Sequence, residues 1–203
     1  MSFISVTIFY GALWGIVEAT LGYLVHLANI SSTFVLLPIA FFFMKQVYKS
    51  TGKISSIFVI SIISCCIKSL NIFTGIRLDK VINPIISILL EGSAFAEYAY
   101  ILKKLEAKKS ANKLQKYGLI FIMNTAWRAA YCLYLACAPE FIYKFSILTS
   151  SAKIVDFMIT KNLGTSVIIM GLFLLDDKIK LPAIKKIHPI FAILSLILCV
   201  III

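Results

Sequence analysis

Long apolar runs alternate with short polar segments along the whole chain. A helix that crosses a bilayer needs about 17–25 mostly apolar residues, whereas a strand of a membrane barrel alternates apolar and polar residues over about 10 positions. The runs here are of the first kind, so the pattern predicts an all-α, polytopic membrane bundle of six to seven transmembrane helices. The candidate spans cover residues 3–27, 33–48, 54–74, 82–102, 117–138, 153–175 and 187–203.

Composition agrees with this pattern. The chain is 61% hydrophobic and 14% charged, compared with roughly 45–50% and 25% in soluble domains. One small core cannot remove that much apolar surface from water, which excludes a soluble enzyme, a disordered tail and a disulfide-rich scaffold. We expect a single integral membrane domain over residues 1–203, contacting lipid on its outside.

Charge then predicts orientation. The chain has 20 Lys and Arg against 9 Asp and Glu, a balance that would suggest nucleic acid in a soluble protein. Here the basic residues cluster between spans, at residues 45–53, 103–116 and 178–186. Every second connection is therefore basic, and the positive-inside rule puts those three in the cytoplasm. We expect a cytoplasmic N-terminus, a multi-pass arrangement in the plasma membrane and no nucleic-acid partner.

Ionisable residues inside the spans are the candidates for function, because each charge costs a few kcal/mol near the bilayer centre. Glu18, Lys68, Glu91, Arg128 and Lys161 lie in five different predicted spans. Their depth along each helix places them in the middle or outer half of the membrane. Their partners are then one another, backbone groups, water or a ligand, and we expect a polar cavity that opens outward.

Neighbouring polar residues extend this set at helical spacing. Asn71 follows Lys68 by one turn, and Asn124 and Tyr131 flank Arg128. Eighteen of the basic residues are Lys, so an Arg inside a span is unusual, and its planar fork can hold a carboxylate through two hydrogen bonds. This favours a small, anionic substrate. The predicted substrate-binding residues are Glu18, Lys68, Asn71, Glu91, Asn124, Arg128 and Tyr131.

Motifs for catalysis or metal binding do not occur in the sequence. The cysteines have no metal-ligand spacing, and HExxH, GxSxG and glycine-rich phosphate loops are missing. Asp176 and Asp177 could suggest a magnesium-diphosphate site, but an acidic pair in a lysine-rich segment is more typical of solvated surface. We expect no metal, no cofactor, no enzymatic activity and no ATPase of its own.

The small residues Gly11, Gly15 and Ala19 share one face of the first span and permit close helix packing. The chain thereby resembles the S components, the substrate-binding membrane subunits of energy-coupling factor (ECF) transporters, which are small, basic, helical and of about this length. In that family a small-residue motif in the first span docks on a transmembrane coupling subunit. The segments GALWGIVEATLG and NPIISILLEG also resemble those of uncharacterised proteins near this group.

The resemblance implies capture of a vitamin or related micronutrient from outside, with ATPases on separate chains. The family has six spans with both termini inside, whereas the apolar runs here number seven, so either the last span is an addition or one span is re-entrant. Two other functions stay open. One is an intramembrane enzyme that uses Glu18 or Glu91 as a base on a lipid-linked substrate, and the other is a structural or assembly subunit with buried ion pairs.

Overall fold

The structure is a computed structural model, and 88% of it is helical. Within the part of the chain that it describes there is no β-strand. The predicted all-α class is therefore confirmed. The described residues are 2–28, 31–75, 77–108, 112–144, 146–179 and 182–202.

The helices follow the apolar runs closely. The long ones are α1 (Ser2–Leu27), α2 (Ser32–Thr51), α3 (Ser55–Ser69), α4 (Asp79–Ala107), α5 (Lys113–Cys137), α8 (Lys161–Ile179) and α9 (Pro189–Ile202). Two short helices, α6 (Glu140–Tyr143) and α7 (Ser151–Val155), lie between α5 and α8. A 3₁₀ turn over Leu70–Thr74 extends α3, and a π-helical turn over Asp156–Thr160 joins α7 to α8 without a break.

Local sequence signals explain several helix ends. Asn112 begins α5 with a capping box, in which its side chain and that of Gln115 bond each other's backbone N–H groups. Gly52 ends α2 at a φ of 68°, in the left-handed region that favours glycine. Pro84 lies beyond the first turn of α4, because the helix begins at Asp79 and not at the predicted residue 82.

Five segments are long and apolar enough to cross a membrane, namely Phe3–Gly22, Ser55–Phe73, Asp79–Ala107, Lys113–Cys137 and Ser151–Asp176. The second and seventh predicted spans are not among them. Lys45 and Lys49 interrupt the apolar character of α2, which also contains Pro38. Helix α9 has 14 residues, about 21 Å at 1.5 Å per residue, against a hydrocarbon core of about 30 Å. The membrane character is shown, and the number of spans stays a prediction.

Six long helices form a closed ring. In the order α1, α3, α4, α5, α8 and α2, each packs against the next, and α2 returns to α1. Helix α9 packs on α1, where the Cys199 thiol donates to the Ala12 carbonyl. Most of its large apolar side chains point away from the bundle and are exposed. The seventh predicted span thus lies outside a six-helix ring.

The basic connections gather at one end of the ring. Lys45 near the end of α2 pairs with Asp176 near the end of α8, and Tyr98 of α4 lines the same cavity as Lys45. Lys53, which follows α2, lies over the ring of Phe3 at the start of α1. The start of α1 and the ends of α2, α4 and α8 therefore share one end, as the positive-inside argument requires. The side of the membrane that this end faces stays a prediction.

A large apolar core fills much of the interior of the ring, and the outer surface is also apolar. Trp14, Phe41, Phe95 and Trp127 belong to one continuous buried core. On the outside, large apolar side chains are exposed on nearly every long helix, up to 86% for Phe73. An outer surface of this kind fits contact with lipid rather than water.

Two glycines of α1 allow α3 to approach closely. A Cβ at Gly11 would lie 2.8 Å from Cβ of Ile63, and one at Gly15 would lie 2.5 Å from Cδ1 of Ile67. These glycines therefore face another helix of the same chain. The partner-interface role expected for Gly11, Gly15 and Ala19 stays a prediction.

The α1–α3 contact gives a testable prediction. Gly15→Ala introduces a methyl group against Ile67, and overpacking of this kind destabilises a core by about 1–3 kcal/mol. In the matched control Gly118→Ala the new Cβ meets open space, and helix propensity alone favours alanine by about 1 kcal/mol. Thermal unfolding in detergent should give a lower midpoint for Gly15→Ala only. Equal midpoints would contradict the close contact.

Candidate functional site

Four ionisable side chains from four ring helices meet in one buried layer. Glu18 of α1, Glu91 of α4 and Arg128 of α5 are 6%, 7% and 0% exposed, and Lys68 of α3 is half-buried. Glu18 interacts electrostatically with Lys68, and Glu91 interacts with both Glu18 and Arg128. The layer therefore runs Lys68, Glu18, Glu91, Arg128, with a cation at each end and two carboxyl groups between them.

Glu18 and Lys68 connect α1 to α3. The indole Nε1 of Trp14 donates to Oε1 of Glu18 over 3.2 Å, one helical turn away. The Lys68 ammonium donates to the main-chain oxygen of Glu18 over 3.3 Å. A Cβ at Gly22 would come within 3.9 Å of this ammonium. The glycine face of α1 thus gives Lys68 room to reach across.

Glu91 has a single described hydrogen bond. Oγ of Ser87, one turn earlier on α4, donates to its Oε1 over 2.6 Å. This bond occupies only one of the two carboxyl oxygens. Glu91 also interacts electrostatically, at longer range, with Glu18 and Arg128.

The four members of this layer do not form contact ion pairs with one another. Among the described residues, the pairs within 4.0 Å all lie elsewhere, such as Lys161 with Asp156 at 3.1 Å. The Lys161 charge is therefore neutralised by a neighbour on its own helical segment. The other four ionisable groups are stabilised by hydrogen bonds to polar neighbours and by longer-range interactions with one another.

Arg128 is held by the backbone of the π-helical turn. Its Nη1 donates to the Phe157 carbonyl over 3.1 Å, and its Nη2 donates to the Lys161 carbonyl over 3.4 Å and to Oγ1 of Thr165 over 3.1 Å. The guanidinium carbon lies 4.7 Å and 4.6 Å from the ring centres of Trp127 and Phe157. Arg128 thus joins α5 to α8 with hydrogen bonds and cation–π contacts.

The π-helical turn explains why these carbonyls accept from a side chain. A π-helical turn inserts an extra residue, so hydrogen bonds run from i to i+5 and carbonyl groups at its junction with the α-helix fall out of the regular ladder. An orphaned carbonyl inside a membrane is costly. The guanidinium of Arg128 donates to the carbonyls of Phe157 and Lys161, and Oγ1 of Thr165 also donates to the Lys161 carbonyl, over 2.6 Å. Such turns often occur at functional sites.

The other predicted residues divide between the two ends of the layer. The amide of Asn124 donates to the Asn162 carbonyl and to Thr165 and Ser166, and its oxygen accepts from Trp127. Tyr131 is half-buried in an aromatic group with Trp127 and Phe157. Asn71 is buried in the 3₁₀ turn after α3. The structure thus brings Asn124, Arg128 and Tyr131 together at the α5–α8 contact.

Two buried polar atoms in this region have no hydrogen-bond partner. They are Nε of Arg128 and Oγ of Ser64, which lies one turn before Lys68 on α3. Buried polar atoms are nearly always bonded, so each of these marks a donor left for water or a ligand. The two cations and the unbonded Nε of Arg128 suit an anionic group of a ligand, and the two carboxyl groups between the cations suit hydrogen-bond donors of a ligand. Within the described residues, His, Cys, Asp and Glu form no group of three suited to a metal.

The described cavity lies elsewhere, at the basic end of the ring. It measures about 220 Å³ and lies between α2, α4 and α8. Asp176 stands beside it and is 3% exposed, with its carboxylate 2.9 Å from Lys45 and 3.7 Å from Lys49 and bonded to Gln46. The interpretation of Asp176 as solvated surface was therefore wrong, and the side chain of Asp177 lies outside the described residues. The sequence signal for this burial is the spacing of Lys45 and Lys49, one turn apart on α2, which allows both to pair with the same carboxylate.

Comparison with known proteins gave no family model, curated protein or solved structure that matches the chain.

Arg128 gives the prediction for this site. Arg128→Lys keeps the charge but replaces the planar fork by one ammonium, which cannot bond the Phe157 carbonyl and Oγ1 of Thr165 from two separate nitrogens as the guanidinium does. A lost hydrogen bond to a charged group costs about 1.5–3 kcal/mol. Hydrogen–deuterium exchange should show faster exchange over residues 156–165, whereas Arg77→Lys at an exposed pair should leave it unchanged. Unaltered exchange in Arg128→Lys would contradict the role of Arg128.

Proposed function

We propose that the protein is the membrane-embedded substrate-binding subunit of an uptake transporter, similar to the S components of ECF transporters. In this proposal the N-terminus lies in the cytoplasm and the bundle in the plasma membrane. It binds a small anionic micronutrient in the charged layer and leaves ATP hydrolysis to other chains. Its role is binding rather than catalysis.

The observation that carries the proposal is that three buried ionisable groups and the half-buried Lys68 form no contact ion pairs among themselves. A purely structural network gains most when its charges are paired at close range, because a buried charge is costly to leave uncompensated. Here the pairing is incomplete and two polar atoms are unbonded. A bound ligand would complete it.

The charges also suggest the chemistry of the ligand. A carboxylate or phosphate group would bond to Lys68 or to the free Nε of Arg128, since both donate hydrogen bonds. A donor on the same molecule would bond to Glu91, of which only Oε1 has a described partner.

The coupling subunit is proposed to contact the face of α1 that includes Ala19. Gly11 and Gly15 are filled by Ile63 and Ile67 of the same chain, and Ala12 faces α9. Ala19 is half-buried, and its small side chain would allow a partner helix to approach α1 closely at this position.

A structural or assembly role is the second candidate, and the bonds of Arg128 favour it. Its three hydrogen bonds all end on α8 or on the π-helical turn before it. These three bonds stabilise the contact between α5 and α8 whether or not a ligand is present. In this alternative the charged layer specifies helix packing and binds nothing.

Ligand-dependent stabilisation separates the two candidates. The purified protein would be heated with a panel of small carboxylates and phosphate esters, each paired with a neutral analogue of equal size. A ligand that binds only the folded state stabilises it by about 2.7 kcal/mol when the free ligand concentration is 100 times Kd. We expect at least one anion to raise the unfolding midpoint, and Lys68→Met and Glu91→Gln to remove that increase.

Lys103→Gln is the matched control, because it removes an exposed lysine far from the layer in sequence and should retain the full increase. If no anion stabilises the protein, or if the increase survives in Lys68→Met and Glu91→Gln, the binding role is wrong and the structural role is favoured.

A further inference from the structure

The cavity at the basic end of the ring has an apolar wall and a charged rim. Tyr48 of α2, Phe95, Tyr98 and Leu102 of α4, and Phe173 of α8 contribute rings and methyl groups to its lining. Lys45 and Lys49 also line it. Since the lining is almost wholly apolar, the lysines contribute their methylene stems, and their ammonium groups mark where the apolar surface ends.

Water is a poor occupant of this space. A water molecule held in a protein needs two to four polar partners, and the lining here offers almost no polar surface. An empty space of about 220 Å³ would leave its lining without van der Waals contacts that close-packed interiors normally make. An apolar occupant is therefore favoured, and hydrocarbon chains are the apolar molecules present in excess around a membrane protein.

The charges at the rim favour an anionic headgroup. Lys45 and Lys49 both lie within 4.0 Å of the single buried carboxylate of Asp176. Lys45 is the closer, at 2.9 Å, and its ammonium also lies 4.4 Å from the centre of the Phe173 ring. The Lys49 side chain is 36% exposed, and its ammonium is the farther of the two from Asp176.

We propose that this cavity binds one acyl chain of an anionic phospholipid, with the lipid phosphate at Lys49 and Lys45. The lipid comes from the leaflet at the basic end of the bundle, where lysines near the surface already attract anionic lipids. Its chain fills the space between α2, α4 and α8 and joins three helices that end together. This site is separate from the charged layer and does not depend on the proposed transport function.

The test uses the purified full-length chain in detergent with equal amounts of phosphatidylglycerol and phosphatidylcholine that carry identical acyl chains. Native mass spectrometry counts the lipid molecules retained on each protein. The wild type should retain phosphatidylglycerol in preference to phosphatidylcholine. Equal retention of the two lipids by the wild type would overturn the proposal.

Two variants probe the headgroup and the chain separately. Lys49→Gln leaves Lys45 to hold Asp176 and should reduce phosphatidylglycerol retention about fivefold, the factor equivalent to about 1 kcal/mol for one lysine near an anionic surface. Ala99→Phe places a ring into the cavity, which Ala99 lines, and should reduce retention of both lipids. Size-exclusion chromatography checks that each variant is folded.

The matched controls are Lys103→Gln and Ala107→Phe, which change exposed positions of α4 that do not line the cavity. Both should retain phosphatidylglycerol as the wild type does. If Lys49→Gln retains as much phosphatidylglycerol as Lys103→Gln, the proposed headgroup contact is wrong. If Ala99→Phe retains as much lipid as Ala107→Phe, the acyl chain does not occupy the cavity.

Discussion

The cost of placing charge inside a bilayer constrains this protein more than any other interaction. A charged side chain near the membrane centre costs a few kcal/mol on insertion scales, and the chain carries one on each of α1, α3, α4 and α5. All four turn inward, where Trp14, Ser87 and the π-helical turn supply hydrogen bonds. The ring of helices is thus built around a charged layer that lipid could not solvate.

Much of the fold could be predicted from the sequence, because hydrophobic length alone selects membrane helices. Each of the seven apolar runs is helical over most of its length. An added last span was one of two alternatives from the sequence. Hydrophobic length could not decide that α9 lies outside the ring, because it does not distinguish an added helix from a re-entrant one. Small residues on one face of α1 also do not indicate which helix packs against them. Gly11 and Gly15 face α3. Those outcomes depend on contacts between segments distant in sequence.

The inward placement of the four ionisable side chains could be predicted from the sequence, but their hydrogen bonds could not. Charge inside apolar runs was enough to select Glu18, Lys68, Glu91 and Arg128, because the cost of burial does not depend on the fold. The partners of Arg128 could not be predicted, since nothing in the sequence marks a π-helical turn or the carbonyls that it exposes. Asp176 was misread for a related reason, as its burial depends on how α2 and α8 meet.

The most direct test of the charged layer is a double-mutant cycle between Glu91 and Arg128. The free energy of unfolding would be measured for the wild type, Glu91→Gln, Arg128→Met and the double variant. Residues that share one electrostatic network couple by about 0.5–3 kcal/mol, whereas independent sites add within about 0.3–0.5 kcal/mol. We predict a coupling in the first range, with the double variant less destabilised than the sum of the single ones. Additive effects would contradict a shared layer of buried charge.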